Sequence, residues 1–159
     1  MNPTRLAQAA QDSKSAATNS EKFEVVDLGP FDNNRNDVLA LNDLGQVAGV
    51  SFNAETGRIE AFRQENATRS MLGTLGGSFS IARDLNNYGE VVGGSLTEGD
   101  ENFHGFLYRD NRLHDLNEFL DPRAGWELIQ ALGINNQGEI IGIGSHTGRD
   151  RIVLLRPRI

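Results

Sequence analysis

The strongest constraint on the fold of this sequence is a nine-residue motif that occurs three times. Each copy starts with an aliphatic residue and Asn, has Gly at its fifth position, and ends with two apolar residues and a second Gly. The copies occupy residues 41–49, 85–93 and 134–142. Because regular self-similarity is the signature of repeat architectures, the chain should consist of three similar units.

A second motif, Leu followed by Gly or Asn, precedes each copy. Its leucines are Leu28, Leu72 and Leu116, which are 44 residues apart. The interval from this Leu to the first Asn of the nine-residue motif is 14 residues in the first two units and 19 in the third. The five additional residues surround Trp126. This spacing predicts a domain over residues 23–159 with repeats of approximately 23–70, 71–114 and 115–159.

Each unit has the pattern of short strands. Asn and Gly between alternating apolar residues indicate a hairpin, because Asn favours turns and Gly adopts positive φ. The second Gly of the motif predicts a close approach of backbones or rings. Further strands at residues 105–109 and 112–116 bring the number to about four per unit, as in a propeller blade. We therefore predict an all-β fold of three four-stranded, blade-like units.

The sequence leaves two ways of closing the units into a ring. Residues 23–28 have the pattern of a fourth strand, whereas the chain ends after the third strand of its last unit. The first strand can complete the last unit of the same chain and give a self-closed, pseudo-threefold form that is prism-like or trefoil-like. Alternatively, two chains form a homodimer with a six-bladed propeller, since propellers typically have about 4–8 blades.

Residues 1–22 differ in composition from the repeats. They are rich in Ala, Ser, Gln and Asn and contain no Gly. Thr4 is a suitable N-cap for a short helix through Leu6 and Ala10. No apolar region of a signal peptide follows Arg5. We predict a short polar N-terminal tail that can form a helix and dock the protein to a neighbour.

Composition excludes several classes of function. Cysteine is absent, which excludes disulfides, thiolate metal sites and cysteine nucleophiles. The net charge of −7 argues against a nucleic-acid partner, because phosphate contacts need Lys and Arg. No apolar run reaches the roughly 20 residues that a spanning helix needs, so we predict no membrane span.

The motifs resemble those of the HAF repeat family, named for a His-Ala-Phe motif that reads His104-Gly105-Phe106 here. Residues 72–89 look like a nearly complete family unit, and residues 125–157 are similar to its terminal units. The resemblance covers residues 23–159 and implies a blade-like β fold in a bacterial extracellular or surface protein, without established catalytic residues. The absence of a recognisable signal peptide keeps a cytoplasmic location as the alternative. In the other two units the histidine position is Glu60 and Arg151, so no family-wide role is expected for it.

Candidate metal ligands are few. Four side chains alternate like the start of a calcium loop: Asp32, Asn34, Asn36 and Asp37. The Gly at the sixth position and the distal Glu of such a loop are missing. Asp100 and Glu101 form a second acidic pair, and His104 and His114 lie in successive predicted strands. A zinc site needs three or four ligands. We predict no cofactor, with calcium at Asp32, Asn34, Asn36 and Asp37 as the alternative.

Candidate binding residues are aromatic or basic. Trp126, the only Trp, either closes the end of the ring or offers a platform for a sugar or a protein partner. The other aromatic candidates are Phe79, Tyr88 and Phe103. Arg156 and Arg158, at the basic C-terminus, are expected to dock an acidic partner or to pair with an acidic neighbouring strand. Phe62 and Phe106 are predicted to belong to the core.

These observations favour a non-enzymatic β-repeat module for protein interaction or assembly. One version is an accessory subunit docked through its N-terminal tail. The alternative is a lectin-like module that binds glycans at the bacterial surface through loop Asn, Asp and Trp residues. An enzyme is the third hypothesis, but the sequence has no Gly-x-Ser-x-Gly motif and nothing that marks a buried pair of carboxylates.

Overall fold

The structure is a computed structural model that describes residues 22–30 and 37–158. In these ranges the chain forms eleven strands, three short 3-10 helices and no α-helix. The 3-10 helices are Glu98–Asp100, Leu116–Phe119 and Pro122–Ala124. None of the described helices has the length and apolar character that a membrane span requires. The predicted N-terminal tail lies outside the described residues except for Lys22.

The strands follow one another as three antiparallel groups, which we call units 1, 2 and 3. Unit 1 contains β1 (Asp37–Leu41), β2 (Val47–Asn53), β3 (Arg58–Glu65) and β4 (Thr68–Gly73). Unit 2 contains β5 (Gly76–Leu85), β6 (Val91–Thr97), β7 (Phe103–Arg109) and β8 (Arg112–Asp115). Unit 3 contains β9 (Trp126–Ile134), β10 (Ile140–His146) and β11 (Arg149–Leu155).

Strand pairing divides the described strands into two open sheets. A parallel bridge between Ile59 and Phe79 joins units 1 and 2 into an eight-stranded sheet. Its order is β1-β2-β3-β5-β6-β7-β8, with β4 also paired to β3. Unit 3 is a separate three-stranded sheet of order β11-β10-β9. The prediction of an all-β fold is confirmed.

The nine-residue motif forms the turn that precedes β2, β6 and β10. In unit 1 the Gly45 N–H donates to the Asn42 carbonyl at 3.2 Å. The Asn42 side-chain oxygen accepts from the N–H groups of Leu44 and Gln46 at 3.1 and 2.9 Å. Gly45 has a φ of 78°, which glycine adopts without steric cost. The same bonds recur around Asn86 and Asn135, so the predicted turn is confirmed.

The second Gly of the motif lies opposite a bulge in every unit. The register shifts after Val38 in unit 1 and at the equivalent places in units 2 and 3. A Cβ atom on this Gly would overlap a carbonyl oxygen of the neighbouring strand. The three pairs are Gly49 with Asp37, Gly93 with Ile81, and Gly142 with Gln130. The predicted close approach of backbones is therefore present three times.

The apolar core lies at the junctions between consecutive units. One buried cluster joins residues of units 1 and 2: Ala48, Ala61, Leu72, Ala82, Leu85, Val91 and Phe106. A second joins residues of units 2 and 3: Val92, Leu107, Leu116, Leu128, Ala131 and Ile140. Phe62 and Phe106 are fully buried, as predicted. Each unit thus depends on its neighbour to cover one of its faces.

Residues 22–30 form no strand in this chain. The side chains of Phe23 and Val25 are exposed, and the Leu28 carbonyl accepts a hydrogen bond from Gln64 Nε2 at 2.7 Å. That bond holds the segment beside unit 1. The prediction that residues 23–28 complete unit 3 of the same chain is not met here, and no described strand pairs with the outer edge of β11.

Candidate functional site

A ladder of Asn side chains connects the three turns. Asn42 Nδ2 donates to the Asn86 carbonyl at 3.0 Å, and Asn86 Nδ2 donates to the Asn135 carbonyl at 3.2 Å. Asn42 and Asn86 are buried because the next unit covers them, whereas Asn135 is exposed. In each of these bonds the donor lies in one unit and the acceptor in the next, and the last acceptor is in the turn of unit 3.

In units 1 and 2, the residue after the Asn of the turn also donates a hydrogen bond to the following unit. The Asp43 N–H donates to Asn87 Oδ1 at 2.9 Å, and the Asn87 N–H donates to Asn136 Oδ1 at 2.8 Å. Asn87 Nδ2 also donates to Asp43 Oδ2 at 2.7 Å. Within the described chain, the Asn136 N–H has no equivalent acceptor, because no fourth turn follows it.

Apolar side chains are exposed on unit 3 at the positions that units 1 and 2 bury. Ile141 precedes the second Gly as Val92 does in unit 2, and Ile152 occupies the register position of Gly105. Val92 and Gly105 are buried against unit 3, whereas Ile141 is 52 % and Ile152 is 92 % exposed. Leu154, opposite Ile141 on β11, is also exposed. We call Ile141, Ile152 and Leu154 the open face of unit 3.

Two cavities adjoin this open face. The larger has a volume of about 920 Å³ and is lined by Trp126, Arg156 and Arg158 among others. The smaller, about 370 Å³, is lined by Trp126, Ile152 and Leu154 among others. Three of the predicted binding residues are therefore brought together around one end of the molecule.

Trp126 is the first residue of β9, and its ring stacks on that of His146. The ring centroids are 4.6 Å apart and the planes are inclined by 28°. His146 Nε2 lies 3.1 Å from the Ala124 carbonyl oxygen, which ties β10 to the 3-10 helix of the insertion. The five-residue insertion thus positions Trp126 in the lining of both cavities.

Arg156 is paired within the chain. Its Nε donates to Glu139 Oε1 at 2.9 Å, and Asn135 Nδ2 donates to Glu139 Oε2 at 2.8 Å. These two bonds, the one from Asn135 first, hold the pKa of Glu139 below its ordinary value. Glu139 lies in the turn before β10 rather than in a strand, and the docking of an acidic partner by Arg156 and Arg158 stays a prediction. Arg158 is exposed.

The remaining aromatic candidates lie on unit 2, away from this end. Phe79 and Phe103 form a tilted pair with centroids 6.3 Å apart. Phe103 packs over Gly94, where a Cβ atom would overlap its ring. Tyr88 projects from the turn of unit 2 and is exposed. The structure therefore does not combine Phe79, Phe103 and Tyr88 with Trp126 in one site.

His104 bridges units 2 and 3 through both ring nitrogens. Nδ1 lies 2.6 Å from Asp115 Oδ2, and Nε2 lies 3.2 Å from Glu127 Oε1. Asp115 belongs to β8 and Glu127 to β9, so the imidazole joins two sheets. His104 and His114 lie in successive strands, as predicted, but the register pairs His114 with Leu107.

The candidate calcium loop falls largely outside the described residues. Asp32, Asn34 and Asn36 are not described, and Asp37 is the first residue of β1, paired with Val50. Asp100, of the second acidic pair, accepts from the backbone N–H and the hydroxyl of Ser78 at 2.7 and 2.6 Å. In the described ranges there is no group of three or more side chains of the types His, Cys, Asp and Glu that could hold a metal ion.

No protein-family model, curated protein or solved structure matches this chain. The site must therefore be interpreted from its own geometry. That geometry is an apolar face with an unpaired strand edge, next to a groove containing the single Trp. The sequence reasoning found Trp126 and Arg156 but missed Ile141, Ile152 and Leu154, which follow from aligning the three units residue by residue.

Proposed function

We propose that the protein is a non-enzymatic β-repeat module that binds another protein through the open face of unit 3. The observation that carries this proposal is the exposure of Ile152, whose equivalents in units 1 and 2, Ala61 and Gly105, are buried by the next unit. A contiguous apolar surface that completes an internal packing pattern is a docking surface rather than a solvent surface. We interpret the three units as blade-like, in agreement with the HAF resemblance.

The edge of β11 supports the same proposal. In the described chain its outer backbone groups have no strand partner. Such an edge can accept an added strand, with backbone hydrogen bonds giving affinity and side chains giving specificity. In the accessory-subunit version of the proposal, residues 1–22 provide a second docking segment.

The surroundings of His104 support a non-enzymatic function. The residue opposite it in the register is Ser95. That hydroxyl is buried, accepts from the Leu75 N–H at 2.8 Å and donates to the Leu96 carbonyl at 2.9 Å. A nucleophilic serine needs a free hydroxyl next to a base. Here the Ser95 hydroxyl is engaged with backbone groups, and the His104 ring is engaged with two carboxylates of neighbouring strands.

The experiment that tests the proposal places a photo-cross-linking amino acid at position 152. We expect cross-links to one defined protein, identified by mass spectrometry, when the variant is activated in the cell that expresses it. The matched control carries the same amino acid at position 88, which is also exposed, on unit 2, and should give no such product. Equal labelling at both positions, or none at 152, would contradict the proposal.

The second candidate is a lectin-like function, which the partly exposed Trp126 beside the large groove favours. Because the chain has one Trp, its fluorescence reports on this groove directly. Sugar binding at the groove should quench or shift the emission in a saturable way, and Trp126→Ala should abolish binding without changing the mass in solution. If a broad set of glycans leaves the emission unchanged, the lectin-like function is wrong and protein binding is the remaining proposal.

A further inference from the structure

We propose that the protein bound at the open face of unit 3 is a second copy of this chain. The two copies associate head to tail, so that unit 3 of each packs on unit 1 of the other and six units close into a ring. This inference rests on the proposed function and names its partner. Three independent features of the two chain ends support it.

The first feature is an open face on unit 1 that matches the one on unit 3. By strand register, Val38 is equivalent to Ala82 and Ala131, and Leu41 is equivalent to Leu85. Ala82, Leu85 and Ala131 are buried by the preceding unit, whereas Val38 is 57 % and Leu41 is 69 % exposed. We call Val38 and Leu41 the open face of unit 1.

Inside the chain these two kinds of face pack directly on each other. At the junction of units 1 and 2, Ala48 and Ala61 share a buried cluster with Ala82 and Leu85. The equivalents of Ala48 and Ala61 on unit 3 are Ile141 and Ile152, and the equivalents of Ala82 and Leu85 on unit 1 are Val38 and Leu41. The open faces are thus the two halves of one more junction, and both are aliphatic. Burying them is favourable because it removes apolar surface from water.

The second feature is the direction of the Asn ladder. Asn135 Nδ2 and the Asn136 N–H are the donors left at the end of unit 3. The Asn42 carbonyl and the Asp43 carboxylate are the acceptors left at the start of unit 1. In the chain, the same kinds of group join Asn42 to Asn86 and Asp43 to Asn87. The carboxylate of Asp43 also makes the intermolecular bond charge-assisted, which strengthens it.

The third feature is the match between residues 23–28, which form no strand in the single chain, and the outer edge of β11, which no described strand covers. Leu28 has the position of Leu72, which lies in β4, and of Leu116, which directly follows β8. Both of these leucines are buried, but Leu28 is exposed in the single chain. If the pairing of β7 with β8 is repeated, Val26 of one copy lies opposite Leu154 of the other. The same register places Glu24 opposite Arg156. Opposite charges facing each other across strands stabilise a sheet.

Two copies give a closed assembly in this arrangement. A head-to-tail interface forms a ring if its rotation closes and a filament if it does not. Six units lie in the range of about 4–8 blades found in closed propellers. A ring also removes both exposed edges at once, which prevents further association.

The first test is the mass in solution by light scattering of the full chain. We expect a single species at twice the 17.4 kDa of one chain. Ile152→Asp should shift it to one chain mass, and because that side chain is 92 % exposed the variant should still fold. Tyr88→Asp, at an exposed position on unit 2, is the matched control and should remain dimeric. A monomer, or a concentration-dependent series of larger species, for the unmodified chain would overturn the proposal.

The second test uses the absence of cysteine from the sequence. One preparation carries Val26→Cys and another carries Leu154→Cys, and the two are mixed, exchanged and oxidised. We expect a disulfide-linked dimer from the mixture and much less from either variant alone. Val26→Cys mixed with Tyr88→Cys should give only background. A chain carrying both Val26→Cys and Leu154→Cys that forms an internal disulfide and runs as a monomer would show self-closure instead and overturn the proposal.

Failure of this inference is distinguishable from failure of the proposed function. If the probe at position 152 labels a different protein while the chain is monomeric, the module binds a partner but not itself. If position 152 labels nothing and the chain is monomeric, both are wrong.

Discussion

The hydroxyl of Ser80 accepts a hydrogen bond from the backbone N–H of Ala61 at 2.8 Å, across the junction of units 1 and 2. The same hydroxyl donates to the Gly73 carbonyl at 2.6 Å. Both Ser80 and Ala61 are fully buried, so water cannot replace the bond between them. A single side chain therefore satisfies two backbone groups where β3, β4 and β5 meet.

Replacing Ser80 by Ala should lower the free energy of unfolding by about 1–3 kcal/mol, because the Ala61 N–H is left buried without an acceptor. Urea unfolding followed by circular dichroism measures the loss. Ser70→Ala, at an exposed position on β4, is the control and should change stability by less than about 0.5 kcal/mol. Equal effects of the two substitutions would show that the bond contributes little.

Replacing Gly93 by Ala should cost about 3 kcal/mol or more, the upper end for overpacking. The added Cβ atom would overlap the Ile81 carbonyl oxygen and approach the Phe106 ring at 2.9 Å. Gly57→Ala is the comparison, because Gly57 has a positive φ of 70°, unlike Gly93, and no atom lies within 4 Å of its Cβ position. Backbone strain alone gives about 1–2 kcal/mol there. Similar losses at both sites would argue against a rigid bulge.

The contribution of one rung of the Asn ladder is measurable by comparing Asn86→Ala with Asn135→Ala. Both substitutions remove the bonds within their own turn, but only Asn86 also donates to the next unit of the same chain, at 3.2 Å. Asn86→Ala should therefore be the more destabilising by about 0.5–1.5 kcal/mol. The comparison should be made in the Ile152→Asp background, so that Asn135 has no second copy to bind. A larger loss at Asn135 would contradict the direction of the ladder.

The loop at Asp100 should respond to acid. Hydrogen bonds from the Ser78 side chain and then from its backbone hold the pKa of Asp100 below its ordinary value. A depressed folded-state pKa contributes stability above the unfolded pKa of about 3.9, and that stability is lost as the pH falls through the folded value. Side-chain carboxyl NMR of Asp100 should show a midpoint below that of an ordinary Asp. In Ser78→Ala the midpoint should rise, and no change on that substitution would rule out the Ser78 hydroxyl as the main cause.

The local structure was predictable from the sequence because turns, bulges and alternation are short-range. Asn42 and Gly45 indicate the turn, and Gly49 indicates the close approach, within eight residues of each other. Burial of Phe62 and Phe106 follows from their repeated positions. These features need no knowledge of how the units are arranged.

Contacts between units were harder to predict because they depend on how one sheet packs against the next. Glu127 meets His104 across a sequence separation of 23 residues, and nothing in either segment indicates the partner. The sequence does contain a signal for the Asn ladder, because its Asn residues recur in the repeated motif at separations of 44 and 49 residues. The open faces required knowing which residues the internal junctions bury. The placement of residues 23–28 beside Gln64 was not indicated at all.

The one-way ladder has a consequence for how this chain can change length. The turns repeat the same Asn side-chain donor and backbone carbonyl acceptor from unit to unit, so the middle unit meets both neighbours through similar turn contacts. Duplicating or deleting a whole unit in the gene would therefore keep these turn contacts and change the number of units that the proposed ring contains. An insertion shorter than a unit would break the match on both sides. The length of the chain can therefore change by complete units, and the number of units is limited by whether the ring can still close.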